Sequence, residues 1–132
     1  MAGQTGTAKN DKLNGTDDDD VIVGDALNLA TGEKGGNDQI TGGLGDDILY
    51  GDAGDQNDTT PPFGQGVLAS GARGGNDTIR GGGGSDSIQG DGQTMEDGAI
   101  GGNDKLFGDD GDDFIFGDAF DLSGSPRGGN DT

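Results

Sequence analysis

Isolated Leu and Ile residues recur along this chain in polar surroundings, and their spacing predicts strands. Leu13 and Ile22, Ile40 and Leu49, Ile79 and Ile88, and Leu106 and Ile115 form pairs whose members are nine residues apart. Each sits at the centre of a three-residue stretch such as Val21-Ile22-Val23 or Ile48-Leu49-Tyr50, bounded by Gly and Asp. Alternation over so short a run puts the central residue on one side and its neighbours on the other, as in a β-strand. A helix is untenable at this glycine density. Nine residues per strand and turn, eighteen per circuit, predict a flattened coil of two parallel sheets around a single stack of eight Leu and Ile side chains.

The frame repeats. Gly-Gly-Asn-Asp begins at Gly35, Gly74, Gly101 and Gly128, with a relative, Ala8-Lys9-Asn10-Asp11, near the start. Blocks at 10–26, 37–53, 76–92 and 103–119 share one 17-residue template, and 128–132 is a partial fifth copy. Between the strands of a block lie six residues: Gly15 to Asp20, Gly42 to Asp47, Gly81 to Asp86 and Gly108 to Asp113. Three return connections hold 15 residues and one holds 27, with an inserted loop at 53–73. One edge therefore carries tight turns and the other long loops. A single domain over 1–132 accounts for the whole pattern.

Composition explains what such a coil lacks. Only 27% of the 132 residues are hydrophobic and 32 are Gly, too little apolar surface to offset the ordering of so much glycine. The net charge of −19 makes nucleic acid and anionic membrane poor partners. With neither Cys nor His, the chain has no thiolate or imidazole for catalysis or for softer metals. No apolar run reaches membrane length, and Met1 to Lys12 lacks the apolar core of a cleavable signal.

The acids fall where the turns close. Stacked strands lie about 4.7–4.9 Å apart, so equivalent Asp residues should superpose. One column is Asp20, Asp47, Asp86 and Asp113; the other is Asp11, Asp38, Asp77, Asp104 and Asp131. Bare neighbours in such a column repel by roughly 3–4 kcal/mol per pair at an effective dielectric near 20. A hard cation between rungs removes the repulsion. Ca²⁺, with six to eight oxygens at about 2.3–2.6 Å and tolerant geometry, suits carboxylates and glycine-turn carbonyls better than Mg²⁺ does.

The stretch Gly42-Gly43-Leu44-Gly45-Asp46-Asp47-Ile48-Leu49-Tyr50 resembles the G-G-x-G-x-D-x-U-x nonapeptide of the RTX (repeats-in-toxin) family, and Gly81 to Gln89 and Gly108 to Phe116 follow it with small departures. The resemblance runs from about Gly6 to Thr132. It implies an all-β, right-handed parallel β-roll (β-solenoid) of four coils that binds calcium in its turns. It also implies that the turn-closing Asp serves two ions while carbonyls from turn positions one to four complete the shells. Carried over, these are Gly15, Asp17 and Asp18; Gly42, Leu44 and Gly45; Gly81, Gly83 and Gly84; and Gly108, Asp110 and Gly111. On the loop edge the pattern is split: Gly36, Gly75, Gly102 and Gly129 keep position four, while Asp25, Asp52, Asp91 and Asp118 follow the opening Gly and join the expected metal set. About seven inter-coil ions are expected, three on the tight edge and four on the loop edge.

Other motifs are weaker. Gly64 to Ala69 matches a dinucleotide fingerprint, but no strand precedes it and Pro61-Pro62 breaks the context. Neither Glu33 nor Glu96 stands where an EF-hand needs its bidentate Glu. Sequons arise automatically from the repeat, and 24 Asp residues make carboxylate pairs everywhere. No catalytic residue is expected.

Two features go beyond the metal. The outward residues Val21, Val23, Ile48, Tyr50, Phe114 and Phe116 make one sheet face apolar; either the loops cover it, through Phe63, Val67, Leu68 or Phe120, or it is a contact surface. The last copy stops at Thr132 where a ninth strand should begin, which fits a fragment of a longer array, a frayed end, or head-to-tail assembly with a second copy. Taken together, these features predict a secreted, calcium-folded structural protein, with filament or matrix assembly as one role. The alternative is a folding and secretion module of a larger type I-secreted hydrolase, toxin or adhesin. The resemblance implies export in the unfolded state, although the C-terminal secretion signal usual in the family is not visible after Asp131.

Overall fold

The computed structural model describes residues 2–55 and 66–132. In chain order its strands are β1 (Ala2–Thr5), β2 (Lys12–Asn14), β3 (Asp20–Val23), β4 (Asn28–Leu29), β5 (Gln39–Leu44), β6 (Ile48–Tyr50), β7 (Val67–Leu68), β8 (Thr78–Gly83), β9 (Ser87–Gln89), β10 (Gly92–Met95), β11 (Lys105–Asp110), β12 (Phe114–Phe116) and β13 (Ala119–Leu122). All pairing is parallel, and the described residues contain no helix. The all-β parallel roll expected from the repeat is the observed architecture.

The circuit has three sides, where the pattern predicted two. One sheet runs β2-β5-β8-β11, a second β1-β3-β6-β9-β12, and a third β4-β7-β10-β13. The third sheet lies in the return connections, which therefore carry ordered strands in place of the long loops expected there. Bridges continue the stacking on either side of it: Ala26, Ala53 and Gly92 form one parallel row, and Lys34, Arg73, Ile100 and Arg127 another. These strands escaped the sequence reading because they are short and share no consensus; Asn28, Val67, Thr94 and Asp121 occupy one register column. They form because their flanks are already stacked, so pairing comes from position more than from residue type. Strand β1 was likewise not expected, since Ala-Gly-Gln-Thr carries no large apolar residue; it pairs with β3 from Ala2↔Asp20 to Thr5↔Val23.

The core follows the nine-residue pairs. Leu13, Ile40, Ile79 and Leu106 align across one sheet, and Ile22, Leu49, Ile88 and Ile115 across the next. The first three of each row are buried as a single cluster; Leu106 is partly buried and Ile115, on the last rung, is 44% exposed. A second cluster joins Leu29, Leu68 and Met95 of the third sheet to Ala53, Ala72, Ala99 and Ala119.

The apolar outer face is covered. Val21, Val23, Ile48 and Tyr50 form their own buried cluster, with Tyr50 at 0% exposure, which removes these four from the proposed contact surface. The chain turns back over this face just after β6, β9 and β12. Gln89 donates from Nε2 to Gln93 Oε1 at 3.1 Å, the Phe116 and Phe120 rings meet edge-to-face at 5.3 Å, and a Cβ on Gly54 would collide with the Tyr50 ring. Phe120 thus reaches this face at Phe116 while remaining 39% exposed, and Val67 pairs within the third sheet. Leu68 is buried in the second cluster, away from this face. Phe63 lies outside the described residues, as do Pro61, Pro62, Gly64 and Gln65. Phe114 alone of the six outward residues is largely exposed, at 61%.

Candidate metal-binding turns

The turn-closing aspartates stack as predicted, and one hydrogen bond fixes each rung. The Asp20 N–H donates to Asp47 Oδ1 at 2.8 Å, Asp47 to Asp86 at 2.9 Å, and Asp86 to Asp113 at 2.9 Å. On the return edge Asp11 donates to Asp38 at 2.7 Å, Asp38 to Asp77 at 2.6 Å, Asp77 to Asp104 at 2.8 Å and Asp104 to Asp131 at 2.9 Å. Each bond uses one carboxylate oxygen and leaves the other aimed at the turn.

That second oxygen is the informative atom. In Asp38, Asp47, Asp77, Asp86 and Asp104, Oδ2 is buried with no hydrogen-bond partner. A buried carboxylate oxygen left bare is costly unless something else satisfies it. Its neighbour is a carbonyl. A Cβ on Gly42 would strike Asp47 Oδ2 and lie 2.6 Å from the Gly81 carbonyl oxygen; one on Gly81 would meet Asp86 Oδ2 and the Gly108 oxygen. Gly24, Gly51 and Gly90 face Asp38, Asp77 and Asp104 with the carbonyls of Gly51, Gly90 and Gly117 in the same way. The opening glycine of each turn thus keeps a space free between a bare carboxylate oxygen and a carbonyl of the next coil.

The first rung differs. Asp20 Oδ2 accepts from the Thr16 N–H at 2.6 Å and the Thr16 hydroxyl at 2.9 Å, and Asp11 Oδ2 accepts from Thr7 N–H and hydroxyl at 2.6 and 2.7 Å. Thr7 and Thr16 occupy turn position two, and the nonapeptide pattern gave no signal of their role.

Positions three and four of the tight turns stack too. Gly45 donates to the Gly83 carbonyl at 2.9 Å and Gly84 to that of Asp110 at 2.9 Å, leaving each carbonyl a second lone pair. The backbone at Gly45, Gly84 and Gly111 has φ of 103°, 138° and 139°, a region closed to most side chains. The side chains of Asp17, Asp18, Leu44 and Asp110 are exposed, so only their main chain faces the turn column. On the return edge, Gly36, Gly75, Gly102 and Gly129 pile so closely that a Cβ on any of the last three would meet the carbonyl below. Beside them runs an asparagine ladder: Asn37, Asn76, Asn103 and Asn130 each donate their N–H to the Oδ1 of the preceding Asn at 2.8–3.0 Å. The Gly-Gly-Asn-Asp period was visible in the sequence, but this role was not.

Asp25, Asp52, Asp91 and Asp118 lie where the return segment leaves and re-enters the edge. Gly36 donates its N–H to the Asp25 carboxylate at 3.0 Å, Gly75 to Asp52 at 2.8 Å and Gly102 to Asp91 at 2.7 Å; Gly129 donates to Asp118. Each carboxylate thus clasps the base of an excursion, its partner glycine lying eleven residues on for Asp25, Asp91 and Asp118 and 23 residues on for Asp52.

Electrostatics is unfavourable throughout the ladders. Burial, followed by repulsion from neighbouring carboxylates, pushes Asp77 up to about 9, Asp104 to about 8, and Asp38, Asp47 and Asp91 to about 7. Asp25, Asp86 and Asp131 are raised and Asp52 strongly so, again chiefly by burial. Among the described residues no three acidic side chains converge to hold an ion by themselves. Turn carbonyls must therefore supply most of a shell, and the opening glycines present them. The donor set is all oxygen, which suits a hard cation and excludes softer ones. A cavity of 280 Å³ beside the first turn contains a single titratable side chain, Asp20.

A model of the RTX calcium-binding nonapeptide repeat matches the chain in four copies, at 5–28, 34–55, 72–94 and 101–121. No curated protein and no solved structure matches it.

Proposed function

The chain belongs to the RTX calcium-binding nonapeptide repeat family, and from that premise we propose that it is a secreted structural protein whose roll folds when calcium enters its turns. The observation that carries this reading is the set of five buried Oδ2 atoms without partners, each beside a carbonyl of the next coil. The geometry repeats at seven inter-coil steps, three on the tight edge and four on the return edge, in keeping with about seven ions. At two of those steps threonine donors already hold the oxygen.

Calcium supplies the positive charge this chain lacks. A net charge of −19 and two stacked carboxylate columns oppose closure, and the main core is a thin line of Leu and Ile. Metal binding is then folding free energy. The chain stays unfolded where calcium is scarce, as in a cytosol, and folds where it is plentiful, outside the cell. No catalytic activity is assigned to it. The test is circular dichroism in excess chelator and during calcium titration: a β signal should appear with calcium, and an equal β signal in chelator at neutral pH sinks the reading.

The last rung bears on assembly. Phe114, Ile115 and Leu122 are 61%, 44% and 55% exposed there, an apolar step that a further coil would cover. That coil comes from a second copy stacked head-to-tail, giving filaments or matrix, or from flanking repeats if the roll is a module of a larger hydrolase, toxin or adhesin. Sizing by light scattering in saturating calcium decides the first case: growth with concentration supports filaments, and monodisperse monomer removes them.

A further inference from the structure

Charge is sorted across the roll. The sheet β2-β5-β8-β11 runs from the return edge to the tight edge, and the two edges expose opposite signs. Lys9, Lys12, Lys34, Arg73, Lys105 and Arg127 each lie within four residues of a turn-closing aspartate of the return edge, and all are exposed. Asp17, Asp18, Asp19, Asp46, Asp110 and Asp112 lie in the tight turns and are exposed as well. The remaining base, Arg80, pairs with Asp109 at 3.2 Å, the one ion pair among the described residues. Six of the seven bases thus have no ionic partner among the described residues of a chain rich in acids. Offsetting the buried ladder would call for bases turned inward beside it; these are turned out to solvent.

One row on each edge is in register. Lys34, Arg73, Ile100 and Arg127 form a continuous row of parallel bridges. In the tight turns the fifth position stacks likewise: the Asp46 N–H donates to Asp19 Oδ1 at 3.0 Å and the Ser85 N–H to Asp46 Oδ1 at 2.8 Å. Asp112 continues this row, standing between Asp110, which pairs with Gly83, and Asp113, which accepts from Asp86. Along the axis one row is base, base, Ile, base, and the other is acid, acid, Ser, acid. Both have the inter-strand repeat of about 4.7–4.9 Å, because the same stacking makes both. The neutral rung is third in each.

We propose that folded copies of this chain associate side by side and parallel, the acid row of one tight edge against the base row of the next copy's return edge. A stagger of one coil aligns Asp19 with Lys34, Asp46 with Arg73, Ser85 with Ile100 and Asp112 with Arg127. A single exposed ion pair contributes little, whereas matched rows form three together and keep Ile100 away from a charge. Antiparallel copies would set Ile100 against Asp46 and Arg73 against Ser85, so the order of residues selects the parallel arrangement. The two rows lie on opposite edges, so one copy makes both contacts, and a heterologous contact of this kind extends without closing. The rows exist only when the coils are stacked, and bound calcium removes much of the −19 charge that holds copies apart. The inference therefore rests on the calcium reading above and adds a lateral partner, a second copy, distinct from an end-to-end one.

The test is sedimentation velocity on the full chain in saturating calcium, at low ionic strength and near 1 M salt, where the Debye length is about 3 Å. Circular dichroism confirms folding. Wild type should form a concentration-dependent assembly at low salt and lose it at high salt. The double variants Arg73→Glu/Arg127→Glu and Asp46→Lys/Asp112→Lys change exposed side chains outside the expected metal set. Each should lose the assembly by itself, and an equimolar mixture should regain it, because the swapped charges face each other again. If loss of the Ser85 bond to Asp46 prevents folding, Asp112→Lys mixed with Arg127→Glu decides the matter. Monomeric wild type at low salt, assembly that survives high salt and both variants, or a mixture that stays monomeric overturns the proposal. So does a base row that takes up added polyglutamate while wild type stays monomeric. Wild type that stays unfolded in calcium is a different result and overturns the calcium reading itself.

Discussion

A single carboxylate oxygen links the turn sequence to the chemistry. In Asp47, for example, Oδ1 is held by the Asp20 N–H and Oδ2 is bare, so the residue both sets the rung and exposes a ligand. In the ion-free roll, burial and like charge raise Asp38, Asp47, Asp77 and Asp104 to about 7–9, against about 3.9 in an unfolded chain. The folded state therefore binds more protons than the unfolded one between those values. This stabilisation is fully present below the unfolded value and disappears as pH rises through 7–9. In excess chelator, the β signal should accordingly strengthen as pH falls from 9 towards 4; a signal that weakens on acidification contradicts the raised carboxyls. In saturating calcium, both the unfolded chain and the ion-bound roll are ionised, so the calcium midpoint should stay nearly flat between pH 6 and 8. Glycine gives a second test. Gly42→Ala puts a methyl group on Asp47 Oδ2 and should abolish calcium-induced folding of the surrounding turns. Gly32→Ala meets open space and strains only a φ of 78°, so its cost should be about 1–2 kcal/mol. Thermal melts in calcium separate the two.

At the level of elements, the two predicted strands of each block were legible because a Leu or Ile every nine residues can mean little else among so much Gly and Asp. The third strand of each circuit was not legible. Leu29, Leu68 and Met95 are its inward residues, yet Leu68 stands in the longest insertion and Met95 among polar neighbours. The consequence is testable at Tyr50. As a residue on a free docking face it would change binding and little else; as a fully buried residue, Tyr50→Ala should cost about 3–5 kcal/mol of stability in calcium. Phe114→Ser, at 61% exposure, should fall within about 0.5 kcal/mol. Chemical denaturation of both in saturating calcium is the measurement, and equal costs would mean that the outer face is not covered.

For the whole molecule, charge dominates. Seven divalent ions would bring +14 against −19, and each occupied step brings two coils into contact. In a stacked roll each coil contacts only its neighbours, so folding should propagate from step to step and the calcium titration should be steeper than single-site binding. A hyperbolic titration would show independent turns.

The sequence by itself determined the repeat, the strand centres, the aspartate columns and the preference for a hard cation, because each depends on spacing and residue type along one copy. Tertiary structure decided the rest: the third sheet, the covered outer face, the threonine-held first rung, and the inward turn of Asp25, Asp52 and Asp91. These features depend on what lies one coil above or below, a neighbour 27 or 39 residues away in the chain, and no local pattern encodes that contact.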